Sequence, residues 1–129
     1  MILRRGRAGL ASDFGKMIRF EQQIKNLIDS VLAGPGHADT ALRQAVAARA
    51  SELSGGGKAE QTLPDPLGAW VDKVAKHAYK TLDREVEALK QSYTEDQIFE
   101  LTIAAATGAA HTRFERALAA ITGERQTGE

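Results

Sequence analysis

The chain has 129 residues, with 17 Lys and Arg balanced by 17 Asp and Glu, three His and no Cys. That length fits one domain, and 43% hydrophobic with 26% charged residues is a globular composition rather than a disordered one. The missing cysteine excludes disulfides, thiolate zinc sites and any thiol nucleophile, and zero net charge argues against a nucleic-acid binder that works by neutralising phosphates.

Residues 1–16 set Arg4, Arg5, Arg7 and Lys16 against Asp13 alone, a local charge of +3 that leaves −3 for the remainder. The expectation is a basic flexible leader, with Met17 as an alternative start. The competing reading is a basic arm for nucleic acid or another anionic surface, on a tract that holds a single aromatic, Phe14. No contiguous apolar run of a signal peptide accompanies these cations. The longest uncharged apolar stretch, residues 101–110, is half of the roughly 20 residues a spanning helix needs. A cytoplasmic protein with no membrane segment is therefore expected.

From Met17 to Ala33, the residues Phe20, Ile24, Leu27, Ile28, Val31 and Leu32 form a single helical stripe. Gly34-Pro35-Gly36 stops it. A second helix starts with Asp39 or Thr40 as its cap and runs to about Leu53, with Leu42, Ala45, Val46 and Leu53 on one face. Residues 17–53 thus read as an N-terminal helical pair. The segment 54–64 is rich in glycine and reads as a flexible linker. Its Gly57-Lys58 is not a phosphate loop, because the positions that need Gly and Ser or Thr hold Glu52 and Ala59.

Asp65-Pro66 reads as a helix start, Asp at the cap and Pro at the first helical position. Leu67, Trp70, Val71, Val74 and Ala78 continue at helical spacing to about Lys80. A short helix capped by Thr81 or Asp83 turns Leu82, Val86 and Leu89 inward, and Ser92-Tyr93 ends it. Thr94-Glu95-Asp96-Gln97 is a capping box, with Tyr93 placed to staple onto Ile98. The last helix then runs to Ile121, roughly 40 Å at 1.5 Å per residue. Its first half is apolar nearly all round, which predicts burial on all sides and, in so small a chain, self-association through this helix. Thr122-Gly123 closes it, leaving 122–129 as a flexible tail. No segment alternates as a strand would, so the chain reads as an all-α bundle of about five helices.

Candidate chemistry is sparse. Of the histidines, His37 falls in the first turn, His77 late in the third helix and His111 in the last. Only His111 has an acidic neighbour at helical spacing, Glu115, so no metal site is expected. Glu100 lies on the same face as His111 but about 16 Å away by helical rise. Across two packed helices Glu100 could meet His77, and a carboxylate under an apolar face would have a raised pKa suited to a general base. His77, Lys80 and Arg84 form a basic cluster at the end of the third helix. It reads either as a solvated helix end that complements the dipole or as an anchor for a small carboxylate. No dinucleotide fingerprint or other cofactor signature occurs.

The segments W-V-D-K-V-A-K-H-A-Y-K (70–80), Y-T-E-D-Q-I-F-E-L-T-I-A-A-A-T-G-A-A (93–110) and R-F-E-R-A-L-A-A-I (113–121) resemble the alkylhydroperoxidase-D-like, or carboxymuconolactone decarboxylase, family. The resemblance covers residues 65–121. It implies an all-helical fold built on a helical hairpin and a homo-oligomer. The family's Cys-x-x-Cys-x-x-x-His would fall on His77, Lys80 and Arg84, and its upstream glutamate near Asp65. Both sulfurs are absent and arginine replaces the histidine, so the resemblance implies a member without the thiol relay.

Three functions follow as expectations. The first is a non-peroxidase helical oligomer acting as a binding or assembly module, its partner a second copy. The second is a cysteine-independent acid–base enzyme on a small carboxylate or lactone, with His77 as base, Lys80 and Arg84 as anchors and Glu100 as orienting group. The third is an anionic-surface or nucleic-acid binder acting through the leader.

Overall fold

The computed structural model describes residues 2–80 and 83–123. Among them the chain forms five α-helices and no strand: α1 (Ile2–Ala33), α2 (Thr40–Leu53), α3 (Leu67–His77), α4 (Asp83–Leu89) and α5 (Glu95–Thr122), with a 3₁₀ turn at Ala78–Lys80 between α3 and α4. The expected all-α class is what is found. No helix of the described residues is long and apolar enough to cross a membrane.

The chain divides into two compact units, Met1–Ser30 and Val31–Glu129. In the first unit the backbone is helical from Ile2 onward rather than from Met17. No proline interrupts residues 2–16, and Arg4, Arg5, Ala8, Leu10 and Ala11 are good helix formers, so the helix extends through the stretch read as a flexible leader. Phe20 and Leu27 are exposed on it, with Ile24 and Ile28 half-buried.

The second unit is built around α5. Its Leu101, Ala104, Ala105, Gly108, Ala109 and Thr112 are buried, and α2 packs along this face with Val46, Ala47 and Ala50. A β-carbon at Gly108 would collide with the carbonyl of Ala47, so glycine here sets how near the two backbones come. The small residues of this face thus admit the close approach of α2 of the same chain. The hydroxyls of Ser51 and Thr112 share a hydrogen bond across this contact.

On α3, Leu67, Trp70, Val71 and Ala75 are buried. The indole N–H of Trp70 donates to Thr102 Oγ1 at 2.9 Å, and that hydroxyl donates to the Ile98 carbonyl at 2.7 Å. The buried aromatic therefore keeps its polar atom satisfied. Near the far end of α3, Arg113 donates to the Ala75 carbonyl at 2.6 Å. Together these two links run α3 alongside α5 in the same direction.

The caps differ in detail from expectation. Thr94 accepts from Gln97 N and Gln97 Oε1 accepts from Thr94 N, completing the capping box of α5, and Gly123 ends it with φ 80°. Asp39 holds the cap position of α2 without a side-chain hydrogen bond. Asp65 does not cap α3: Pro66 takes that position and backbone bonds from Gly68 to Pro64 and from Trp70 to Pro66 close the turn. The 65–66 peptide is cis. The glycine-rich segment is tied down, since Gly56 N–H donates to Ser51 and Arg116 donates to the Gly55 carbonyl, while Leu63 packs on the core. Thr81, Leu82 and the tail beyond Gly123 lie outside the described residues.

Candidate functional site

The four residues singled out from the sequence are not one cluster. His77, Lys80 and Arg84 are exposed, spread over the end of α3, the 3₁₀ turn and the first turn of α4. A Lys73–Glu85 ion pair of 2.7 Å ties α3 to α4 beside them. Glu100 is elsewhere. The Arg113–Ala75 bond puts the C-terminal part of α3 next to position 113 of α5, which is 13 residues, or about 20 Å of helical rise, past Glu100. The anticipated meeting of Glu100 with His77 is therefore corrected.

Glu100 instead holds the connection between α1 and α2. Its carboxylate accepts from the backbone N–H of His37 at 2.9 and 2.8 Å and from that of Ala38 at 2.9 Å. A β-carbon at Gly36 would come within 2.6 Å of Glu100 Oε1, so only glycine leaves the carboxylate its seat. Hydrogen bonds from Ala38 and His37 favour the charged form and lower the pKa, outweighing the opposing desolvation, with smaller help from the charges of His37 and Arg43. The expected direction was upward. The bonds that hold Glu100 in place are also what unsuit it to act as a base near neutral pH.

Arg43 completes that connection, and the sequence pattern missed it by leaving the charged residue off the apolar face of α2. It is only 4% exposed. Its guanidinium donates to the carbonyls of Ala38, Val31 and Gly34 and to Thr40 Oγ1. Val31 O and Gly34 O are orphan acceptors at the end of α1, so a cation there satisfies both the hydrogen-bonding and the dipole requirement. Gln97 adds a bond to the His37 carbonyl at 3.2 Å.

A cleft of about 510 Å³ opens between α2, the 58–65 segment and α3. Its lining includes Arg49, Glu52, Lys58, Asp65 and Asp72 but not His77, Lys80, Arg84 or Glu100. Arg49 is gripped by Asp72 at 3.1 and 3.2 Å and by Glu52 at 2.8 Å. These bonds push the guanidinium pKa further up, leaving it charged and already paired. Three carboxylates against two cations make this wall a poor receptor for a small carboxylate, and it holds no histidine.

His111 meets Glu115 at 3.4 Å through Nε2, the pairing its spacing suggested, while its buried Nδ1 finds no hydrogen-bond partner. Among the described residues no three His, Asp or Glu gather as a metal site would require.

The remaining feature is a surface. Opposite its buried face, α5 presents Phe99 at 67% exposure, Ile103 at 38% and Ile121 at 78%, with Ala106, Ala110 and Ala117 exposed between them. From Phe99 to Ala110 this outward face carries no charged side chain. The charges beyond it turn back onto the chain: Arg113 to the Ala75 carbonyl, Glu115 to His111, Arg116 to the Gly55 carbonyl. The sequence predicted burial on all sides of this half-helix, and within one chain one side is left open.

Compared with protein-family models, curated proteins and solved structures, the chain matches none.

Proposed function

We propose that this protein is a helical assembly module, an alkylhydroperoxidase-D-like scaffold without the thiol site, which works by associating with a second copy through the outward face of α5. The observation that carries the reading is the exposure of Phe99 and Ile103, 67% and 38%, on a helix face without charge. Leaving large apolar groups in water is unfavourable by roughly 25 cal/mol per Å², which a second apolar face relieves. The sequence resemblance supports the same reading, because it implies a homo-oligomer and puts the family's two cysteines at positions where this chain has His77 and Lys80.

Sedimentation equilibrium across the micromolar range tests it. The unmodified chain is expected to show a reversible rise in mass with concentration. The double variant Phe99→Glu, Ile103→Lys is expected to stay monomeric with an unchanged helical circular-dichroism spectrum. A chain monomeric at every concentration overturns the reading. So does turnover of peroxide with a dithiol reductant that survives chelation and exceeds a protein-free blank.

A further inference from the structure

The outward face of α5 has an internal symmetry. Its apolar residues are Phe99, Ile103, Ala106, Ala110, Phe114, Ala117 and Ile121, at intervals of 4, 3, 4, 4, 3 and 4, which read the same from either end about Ala110. At about 100° per residue these seven positions stay within roughly 80° of one another around the axis, so they form one straight stripe about 33 Å long. Phe114 is half-buried and the other six are exposed.

Resting on the assembly reading above, we infer that two copies pair antiparallel along α5, with the two-fold axis at Ala110. In that register Ile103 faces the partner's Ala117 and Ala106 faces the partner's Phe114, so a large side chain meets a small one on either side of the axis. Ala110 meets the partner's Ala110, and Phe99 meets the partner's Ile121 at both ends. The surface is complementary to itself, which a two-fold contact requires. A parallel pair stacks Phe on Phe and Ala on Ala, and forces the axes apart at some rungs while leaving gaps at others.

Charge selects the same direction. The first turn of α5 carries Glu95 and Asp96. A parallel pair brings four carboxylates together at one end, whereas the antiparallel pair separates them by the length of the stripe and opposes the helix dipoles. The area fits a reversible dimer. A stripe about 33 Å long and 10–12 Å wide, allowing for side-chain relief, buries on the order of 500 Å² per copy, so the pair reaches about 1,000 Å², the lower bound for a specific interface. Such a face favours a second copy over an anionic lipid surface, which would meet the acidic first turn.

Cysteine cross-linking reads the register directly, because the chain has no cysteine of its own. Facing alanines on helices packed 8–10 Å apart bring their backbones within the roughly 4.4–6.8 Å Cα span of a disulfide. Ala110→Cys is expected to form a disulfide dimer on mild oxidation at high-micromolar concentration. Ile103→Cys alone is expected to stay monomeric on a non-reducing gel, since its two copies lie about 21 Å apart along the axis. Mixing Ile103→Cys with Ala117→Cys is expected to yield the heterodimer. Ile103→Cys self-linking as readily as Ala110→Cys, or Ala110→Cys failing to link, overturns the antiparallel register. Sedimentation of the unmodified chain separates the two failures. A dimer that does not link at position 110 sinks the register and spares the assembly reading, while a chain monomeric throughout sinks both.

Discussion

The inward and outward faces of α5 are made of nearly the same residues and have opposite fates. Inward lie Leu101, Ala104, Ala105, Gly108 and Ala109, and outward lie Phe99, Ile103, Ala106 and Ala110. By hydrophobicity alone the outward set is as good a candidate for burial, since its Phe99 and Ile103 match the buried Ile98 and Leu101. What decides is the partner: α2 brings Ala47 and Ala50 against a face that glycine and alanine keep thin. A large side chain suits a surface whose cover adjusts to it, and a small one suits a surface whose cover is a backbone already in place. The two faces thus differ less in polarity than in the room left above them.

Enlarging one small residue on each face tests that contrast most severely. Gly108→Leu drives a side chain into the Ala47 backbone and is expected to remove more than about 3 kcal/mol of stability, enough to abolish cooperative unfolding in a small domain. Gly108→Ala, one carbon against the same carbonyl, is expected to cost roughly 1–3 kcal/mol. Ala110→Leu adds the same bulk outward and is expected to leave stability within about 0.5 kcal/mol. Urea titration of the three variants, at concentrations where the chain is monomeric, checks all of these. Equal losses at 108 and 110 would dissolve the distinction between the faces.

The second-largest effect belongs to the residue that seats α2. Arg43 is buried with only carbonyl and hydroxyl partners, three of its bonds going to main-chain carbonyls, two in the α1–α2 connection and one in the last turn of α1. Arg43→Leu keeps the volume and removes the donors, leaving the carbonyls of Val31, Gly34 and Ala38 to compete for water. A loss of about 2–4 kcal/mol in the same titration is expected. Arg43→Lys is expected to recover only part of it, because an ammonium does not reproduce the fork of the guanidinium.

Where the sequence was legible, a local rule sufficed. The apolar stripes, the glycine and proline stops and the Thr94–Gln97 capping box each involve residues within one or two turns of each other, and apart from the start of α1, which begins at Ile2 rather than Met17, each element is found within a few residues of its expected place. Arg43 and Glu100 were illegible for a shared reason. Both satisfy backbone groups of the 34–39 connection, and Glu100 does so from 63 positions away in the chain. Backbone N–H and C=O groups are the same at every residue, so a sequence carries no mark of which ones a remote side chain will serve. Gly36 was the faint signal, a glycine beside Pro35 that reads as a turn and is in fact the space for a carboxylate. The basic cluster at His77, Lys80 and Arg84 is a different case: its spacing along the chain is as read, and the cleft against α2 and the 58–65 segment does not include it.

A smaller effect concerns the edge of α5 between its two faces, where Glu100 sits. Its pKa is held below the ordinary 4.5 in the folded state by the N–H groups of Ala38 and His37. A carboxylate with a lowered folded pKa contributes stability that is fully present above its unfolded pKa and is lost as pH falls through the folded value. The chain is therefore expected to lose thermal stability progressively below about pH 4.5, as its other acids also protonate. Glu100→Gln is expected to lower Tm near neutrality, where the charged acceptor is missing, and to close the gap to the wild type as the pH is taken down, because the wild type loses by protonation what the variant lacks throughout. Melting curves from pH 3 to 7 check the convergence. The absence of a gap at neutral pH would mean that Glu100 acts through its shape, which glutamine keeps, and not through its charge. The flank of α5 would then be held by packing, like the Gly108–Ala47 contact of its inward face.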